Sequence, residues 1–74
     1  MARVVIVEDE LLVRLGIKMC LEQEGDGALS VAGAFCVAQD ALDFFAQDRA
    51  DVLITDIRLP GMSGLELIRA LGPE

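Results

Sequence analysis

Three short, continuously apolar runs, each followed by a stretch with helical periodicity, constrain this chain more than anything else in it. "RVVIV" (Arg3 to Val7) is β-branched throughout its middle and carries no alternation, as expected of a strand buried on both faces of a parallel sheet. "LLVRLGIKMCLEQEG" follows, with Arg14, Lys18 and Glu22 at i, i+4 and i+8, which predicts a helix whose solvent stripe is those three residues. Gly25 and Gly27 bracket its expected end. "LSVAGAF" (Leu29 to Phe35) reads as a second, weaker strand. "VAQDALDFFAQD" then sets Ala38, Ala41, Leu42 and Phe45 on one helical face, with Asp40, Asp43 and Gln47 outside. "DVLITD" (Asp51 to Asp56) is the third strand. A Pro/Gly turn leads from it to a last helix ending near Leu71, with Gly72 and Pro73 as its stop and an S-x-x-E capping box at Ser63 and Glu66. The order β-α-β-α-β-α, without linker or repeat, predicts one α/β unit: a parallel sheet with helices on its faces.

Composition narrows the field. With 74 residues there is room for one small unit, and 54% hydrophobic residues against 26% charged exclude a disordered chain. The net charge of −7, from 13 acids and 6 bases, disfavours direct contact with a nucleic-acid backbone or an anionic membrane. No apolar run reaches the roughly 18 residues of a membrane span. "MARVVIV" does not read as a targeting segment, so a cytoplasmic location is expected. Cys20 and Cys36 lie in apolar surroundings without a CxxC pattern and are expected to be small core residues of a reduced protein.

The chemistry sits at the strand ends. The first strand runs into Glu8 and Asp9, the third into Asp56. Ligands of open α/β sheets bind outside the carboxyl ends of the strands. If the first and third strands are neighbours, three carboxylates converge there, a costly arrangement unless a cation offsets their repulsion. Oxygen donors, and no histidine anywhere in the chain, favour a hard ion such as Mg²⁺ over zinc. Each motif has a plain structural explanation too: Glu8, Asp9 and Glu10 precede a helix, whose dipole favours acids there, and Asp56 precedes a turn. Both acid motifs at matching strand ends point further, to a site.

These residues carry a family resemblance over the whole chain. "VVIVEDE" resembles the first strand and acid pair of the receiver domains of bacterial two-component response regulators. "DVLITDIRLPGMSGLELI" resembles their third strand, phosphoaccepting aspartate and following loop. Together with "VRLGIK", the pattern is also similar to receivers that precede an AraC-type DNA-binding domain. The resemblance implies a flavodoxin-like (receiver) fold, here truncated to its N-terminal part over residues 1–74, with three strands in the order 2-1-3 and flanking helices. It implies that Asp56 is the phosphoacceptor, served by a sensor histidine kinase. It also implies that Asp9 ligates Mg²⁺ directly, that Glu8 does so through water, and that Asp56 and the backbone carbonyl of Arg58 complete the protein's share. Pro60 and Gly61 would shape the loop leaving the site, and Gly64 would let the third helix begin close to it.

Full receivers add a Ser or Thr after a fourth strand and a Lys after a fifth. Neither Lys18, Thr55, Ser30 nor Ser63 is placed to substitute here. The third strand is therefore expected at a sheet edge, and self-association through that edge follows as an expectation. Two functions stay open: a phosphoacceptor module not switch-competent by itself, or a non-switching, self-associating interaction fragment. An enzyme is not expected. There is no GxGxxG, P-loop or GxSxG, and Arg58 stands where aspartyl-phosphate hydrolases place a second acid.

Overall fold

Four consecutive apolar residues, Val4 to Val7, give β1 (Ala2–Val7) its extended backbone, and each is at most 1% exposed. In the computed structural model, which describes residues 2–24 and 27–72, β1 is the central strand. β2 (Leu29–Phe35) pairs with one side of it and β3 (Val52–Thr55) with the other, both parallel, in the order β2-β1-β3. Parallel pairing is what the strand–helix alternation predicts, and the order is the one the family resemblance implies. The β1–β3 register sets Val4 beside Val52, Ile6 beside Ile54 and Val7 beside Thr55. On the other side the register slips between Val4 and Val5, leaving Ala32 as an extra residue of β2.

Side chains alternate across the sheet, so Val5 and Val7 share one face and Val4 and Ile6 the other. The first pair joins Ala38, Ala41, Leu59 and Leu67 in a continuous core under α2 (Ala38–Phe45) and α3 (Gly64–Leu71). Leu42 and Phe45 pack half-buried against it, while Asp40, Asp43 and Gln47 are exposed, as the helical spacing predicts. α1 (Leu11–Glu24) packs on β2 and β1 and covers the other face. Arg3 ties the far end of the sheet together: its Nε donates to the Arg49 carbonyl at 2.9 Å and its Nη2 to Asp48 at 2.9 Å, while its backbone N–H donates to Asp51 at 2.8 Å.

Two expectations fail here. Arg14 and Lys18 are not on a solvent stripe: with Ile17 and Leu21 they form the half-buried face of α1, and of the expected stripe Glu22 alone is exposed. The helix is instead rotated so that Leu11, Leu12, Val13, Leu15 and Met19 face outward. The positions 14, 17, 18 and 21 recur at helical spacing, and long Arg and Lys side chains can lie along apolar surface by their stems while their heads reach a polar partner. The cysteines are not core residues either; Cys20 and Cys36 are free and exposed. Cys20 lies on the outward face of α1, and Cys36 follows the last residue of β2, where the chain has left the sheet.

The helix ends follow the sequence signals. Ser63 Oγ accepts from the Glu66 amide at 3.1 Å while Glu66 Oε1 accepts from the Ser63 amide at 3.0 Å, a complete capping box. Gly72 caps α3 at φ 82°. The expected stops at Gly25 and Pro73 lie outside the described residues. Among the described residues no helix is long and apolar enough to cross a membrane.

Candidate functional site

Each acid of the site is set by the strand it follows. The backbone N–H of Glu8 donates to the Phe35 carbonyl at 2.9 Å, extending the β1–β2 ladder by one residue. The N–H of Asp56 donates to the Val7 carbonyl at 3.1 Å, extending the β1–β3 ladder likewise. Both ladders thus deliver their acids to the carboxyl end of β1, and one carboxylate oxygen from each of Glu8, Asp9 and Asp56 lies within 4.8 Å of the others. Asp9 and Asp56 are exposed and Glu8 is half-buried, so each can reach a solvated ligand.

The turn from β1 into α1 also uses these residues structurally. Glu8 Oε2 accepts the Glu10 amide at 3.1 Å, and the Glu10 carbonyl accepts the first helical bond from Arg14 at 2.9 Å. The helix-start role of the acids is therefore real for Glu8, whose carboxylate also belongs to the cluster.

Residues after Asp56 explain the Pro/Gly stretch. The amide of Arg58 approaches Asp56 Oδ1 at 3.4 Å, so the chain turns back over the acid at once. Leu59 is 8% exposed and sits in the core with Val7 and Leu67, which anchors the loop three residues beyond Asp56. Pro60 is exposed, and Gly61 takes φ 74°, a conformation that side chains other than glycine's disfavour. The buried Gly64 begins α3, donating its N–H to the Ile57 carbonyl at 3.0 Å. A Cβ there would run into the Asp56 carbonyl oxygen, so α3 starts against the backbone of the acid itself.

The chain matches the family model described as "Response regulator receiver domain" over residues 4–74. It belongs to the response regulator receiver family. This receiver segment is 36% identical to the transcriptional regulatory protein BtsR of Salmonella typhi, over all of the chain and 30% of that protein. It is 38% identical to the response regulator GacA of Pseudomonas aeruginosa, over 96% of the chain and 32% of that protein. A solved structure of the Salmonella typhimurium response regulator RcsB superposes with a TM-score of 0.82 at 32% identity, covering 95% of this chain and 36% of that one. The receiver segment thus spans about a third of the length of these relatives.

Two contributors escape a reading of the sequence. Leu59 reads as a loop residue because its burial depends on α3 folding back over β1. Arg14 reads as solvent-facing, yet its Nη1 donates to the Glu8 carbonyl at 2.8 Å. The only local signal for it is a long cation one turn after the acid pair.

Proposed function

We propose that this chain is the phosphoacceptor part of a two-component response regulator, a cytoplasmic protein that takes a phosphoryl group on Asp56 from a sensor histidine kinase. What supports this reading above all is the meeting of Glu8, Asp9 and Asp56 at the carboxyl end of the central strand in a receiver-family chain. An Asp56 carboxylate oxygen attacks phosphorus, the new P–O bond forms, and the P–N bond to the donor imidazole breaks with its electron pair left on nitrogen. The product is an acyl phosphate. The chain is then the substrate of the transfer and not an enzyme.

The donor set, all carboxylates with neither imidazole nor thiolate, suits Mg²⁺. Asp9 and Asp56 would hold the ion directly, Glu8 through water, and the Arg58 carbonyl from the loop. A bound Mg²⁺ supplies charge neutralisation where three acids and a phosphoryl group meet. Pro60, Gly61 and Gly64 keep the loop close enough for that carbonyl to serve.

Residues 1–74 form the N-terminal part of the receiver in this reading. In the longer protein a DNA-binding effector, of AraC type by its resemblance, would follow.

The test is intact-mass spectrometry after incubation with acetyl phosphate, with and without Mg²⁺, beside Asp56→Asn. A Mg²⁺-dependent gain of one phosphoryl group, lost in the variant, is expected. A folded protein that gains nothing, or an Asp56→Asn variant that gains as much, overturns the assignment.

A second reading, a self-associating fragment that does not switch, is favoured by one observation. β3 is an edge strand with Val52 exposed, and α1 turns Leu12, Leu15 and Met19 outward. Unpaired strand groups, on a molecule that also exposes apolar side chains, suit pairing with a second copy.

A further inference from the structure

The geometry points to Arg14 as a positioning residue for the acid pair, a role that rests on the metal-site reading above. Its half-buried side chain reaches back from the first turn of α1, and Nη1 donates to the Glu8 carbonyl oxygen at 2.8 Å. That oxygen belongs to the peptide joining Glu8 to Asp9. A peptide is planar, so fixing its oxygen orients the Cα atoms of both residues and the directions in which their side chains leave.

The rest of the turn is held elsewhere. The Glu8 amide is bound to β2 through the Phe35 carbonyl, and the Glu10 amide is bound by the Glu8 side chain. Among the described residues, Arg14 supplies the one hydrogen bond to the Glu8 carbonyl. The guanidinium is not spent on neutralising an acid: among the described residues the one ion pair is Arg3 with Asp48, at the far end of the sheet. A cation committed to a backbone carbonyl, beside three carboxylates within 4.8 Å of one another, fixes where two of them stand.

Positioning and bare electrostatics predict opposite signs, which makes the role testable. A positive charge near a divalent-ion site weakens binding of the ion, so its removal by itself tightens binding. Loss of a partner that orients ligating residues weakens binding, commonly by about 10- to 100-fold when the partner bonds a ligand itself. Arg14 acts on the backbone between two such residues and touches neither ligating group, so a smaller loss, roughly 3- to 10-fold, is expected.

The experiment measures Mg²⁺ affinity by calorimetric titration in the intact protein for the native sequence, Arg14→Met, Arg14→Lys and Lys18→Met. Met keeps the apolar stem and removes the donor. Lys18→Met removes one charge from the next turn of the same helix face. Weaker binding in Arg14→Met, partial recovery in Arg14→Lys, and unchanged or tighter binding in Lys18→Met are expected. In the metal-free protein, the Asp9 amide resonance, which reports the same peptide plane, should move in Arg14→Met and not in Lys18→Met.

Unchanged or tighter binding in Arg14→Met overturns the inference while leaving the metal site intact. Absence of Mg²⁺ binding by the native protein overturns the metal-site reading, and this role with it. If Arg14→Met does not fold, the comparison of Arg14→Lys with the native protein decides: equal affinity with an unmoved Asp9 resonance refutes the role.

Discussion

At the scale of single residues, the site combines carboxylates that repel one another with backbone bonds that hold them in place. Glu8 and Asp56 are fixed by ladder bonds to Phe35 and Val7, so repulsion cannot separate their backbones without breaking the sheet. Asp9 is exposed and carries one of the three converging carboxylates. Replacing it with Ala removes a repulsive partner and a proposed Mg²⁺ ligand together. Asp9→Ala should therefore weaken Mg²⁺ binding and raise the melting temperature of the metal-free protein by a few degrees. That gain corresponds to about 0.5 kcal/mol in a domain of this size. Thermal unfolding with excess chelator, and again with excess Mg²⁺, checks both halves: the native protein should gain more from the ion than the variant does. Asp56→Asn keeps the shape of the side chain and removes the proposed nucleophile, so loss of phosphoryl acceptance with an unchanged melting curve is the expected pair of results.

At the scale of elements, α3 does more than cover the sheet. Its first residue, Gly64, lies against the Asp56 carbonyl, its cap joins Ser63 to Glu66, and Leu67 is fully buried beside Leu59, Val5 and Val7. The loop that follows Asp56 is thus closed between two fixed ends, the β3 ladder and the α3 cap. Ser63→Ala removes the side-chain acceptor for the Glu66 amide and should cost about 1 kcal/mol. Because that cap adjoins the loop, the same variant should also loosen Mg²⁺ binding. Urea unfolding measures the first effect and calorimetric titration the second. A stability loss with unaltered affinity would show that the loop is held by Leu59 and Gly64 without the cap. α1 behaves differently: the face it buries contains Arg14 and Lys18, and much of its apolar content looks outward.

At the scale of the whole molecule, an exposed edge and an exposed helix face occur together. β3 pairs with β1 and, among the described residues, with no second strand. Val52 is 44% exposed at the start of that edge, and α1 adds Leu12 at 82% and Met19 at 56%. A net charge of −7 opposes association of like chains through long-range repulsion, which salt screens. Self-association through the β3 edge should therefore strengthen as ionic strength rises. Val52→Lys, which places a charge at that edge, should reduce it. Sedimentation velocity at two salt concentrations checks this expectation; a native chain that stays monomeric at high protein concentration in both would refute it.

The sequence by itself determined the elements, their order and the positions of the strand-end acids. Runs such as Val4 to Val7 and Val52 to Thr55 admit little but strands, and the S-x-x-E pattern at Ser63 fixes the start of a helix through local hydrogen bonds. It also placed Asp9 and Asp56 at matching strand ends, because alternation with helices implies parallel strands whose carboxyl ends share an edge. Tertiary structure decided what periodicity cannot rank. α1 offers apolar residues around most of its circumference, so which face meets the sheet depends on how the helix leaves the Glu8–Glu10 turn; that choice left Arg14 and Lys18 half-buried and exposed Cys20. The same holds for Leu59. Its burial comes from α3 closing over β1, a contact between segments far apart in the chain that no local pattern encodes.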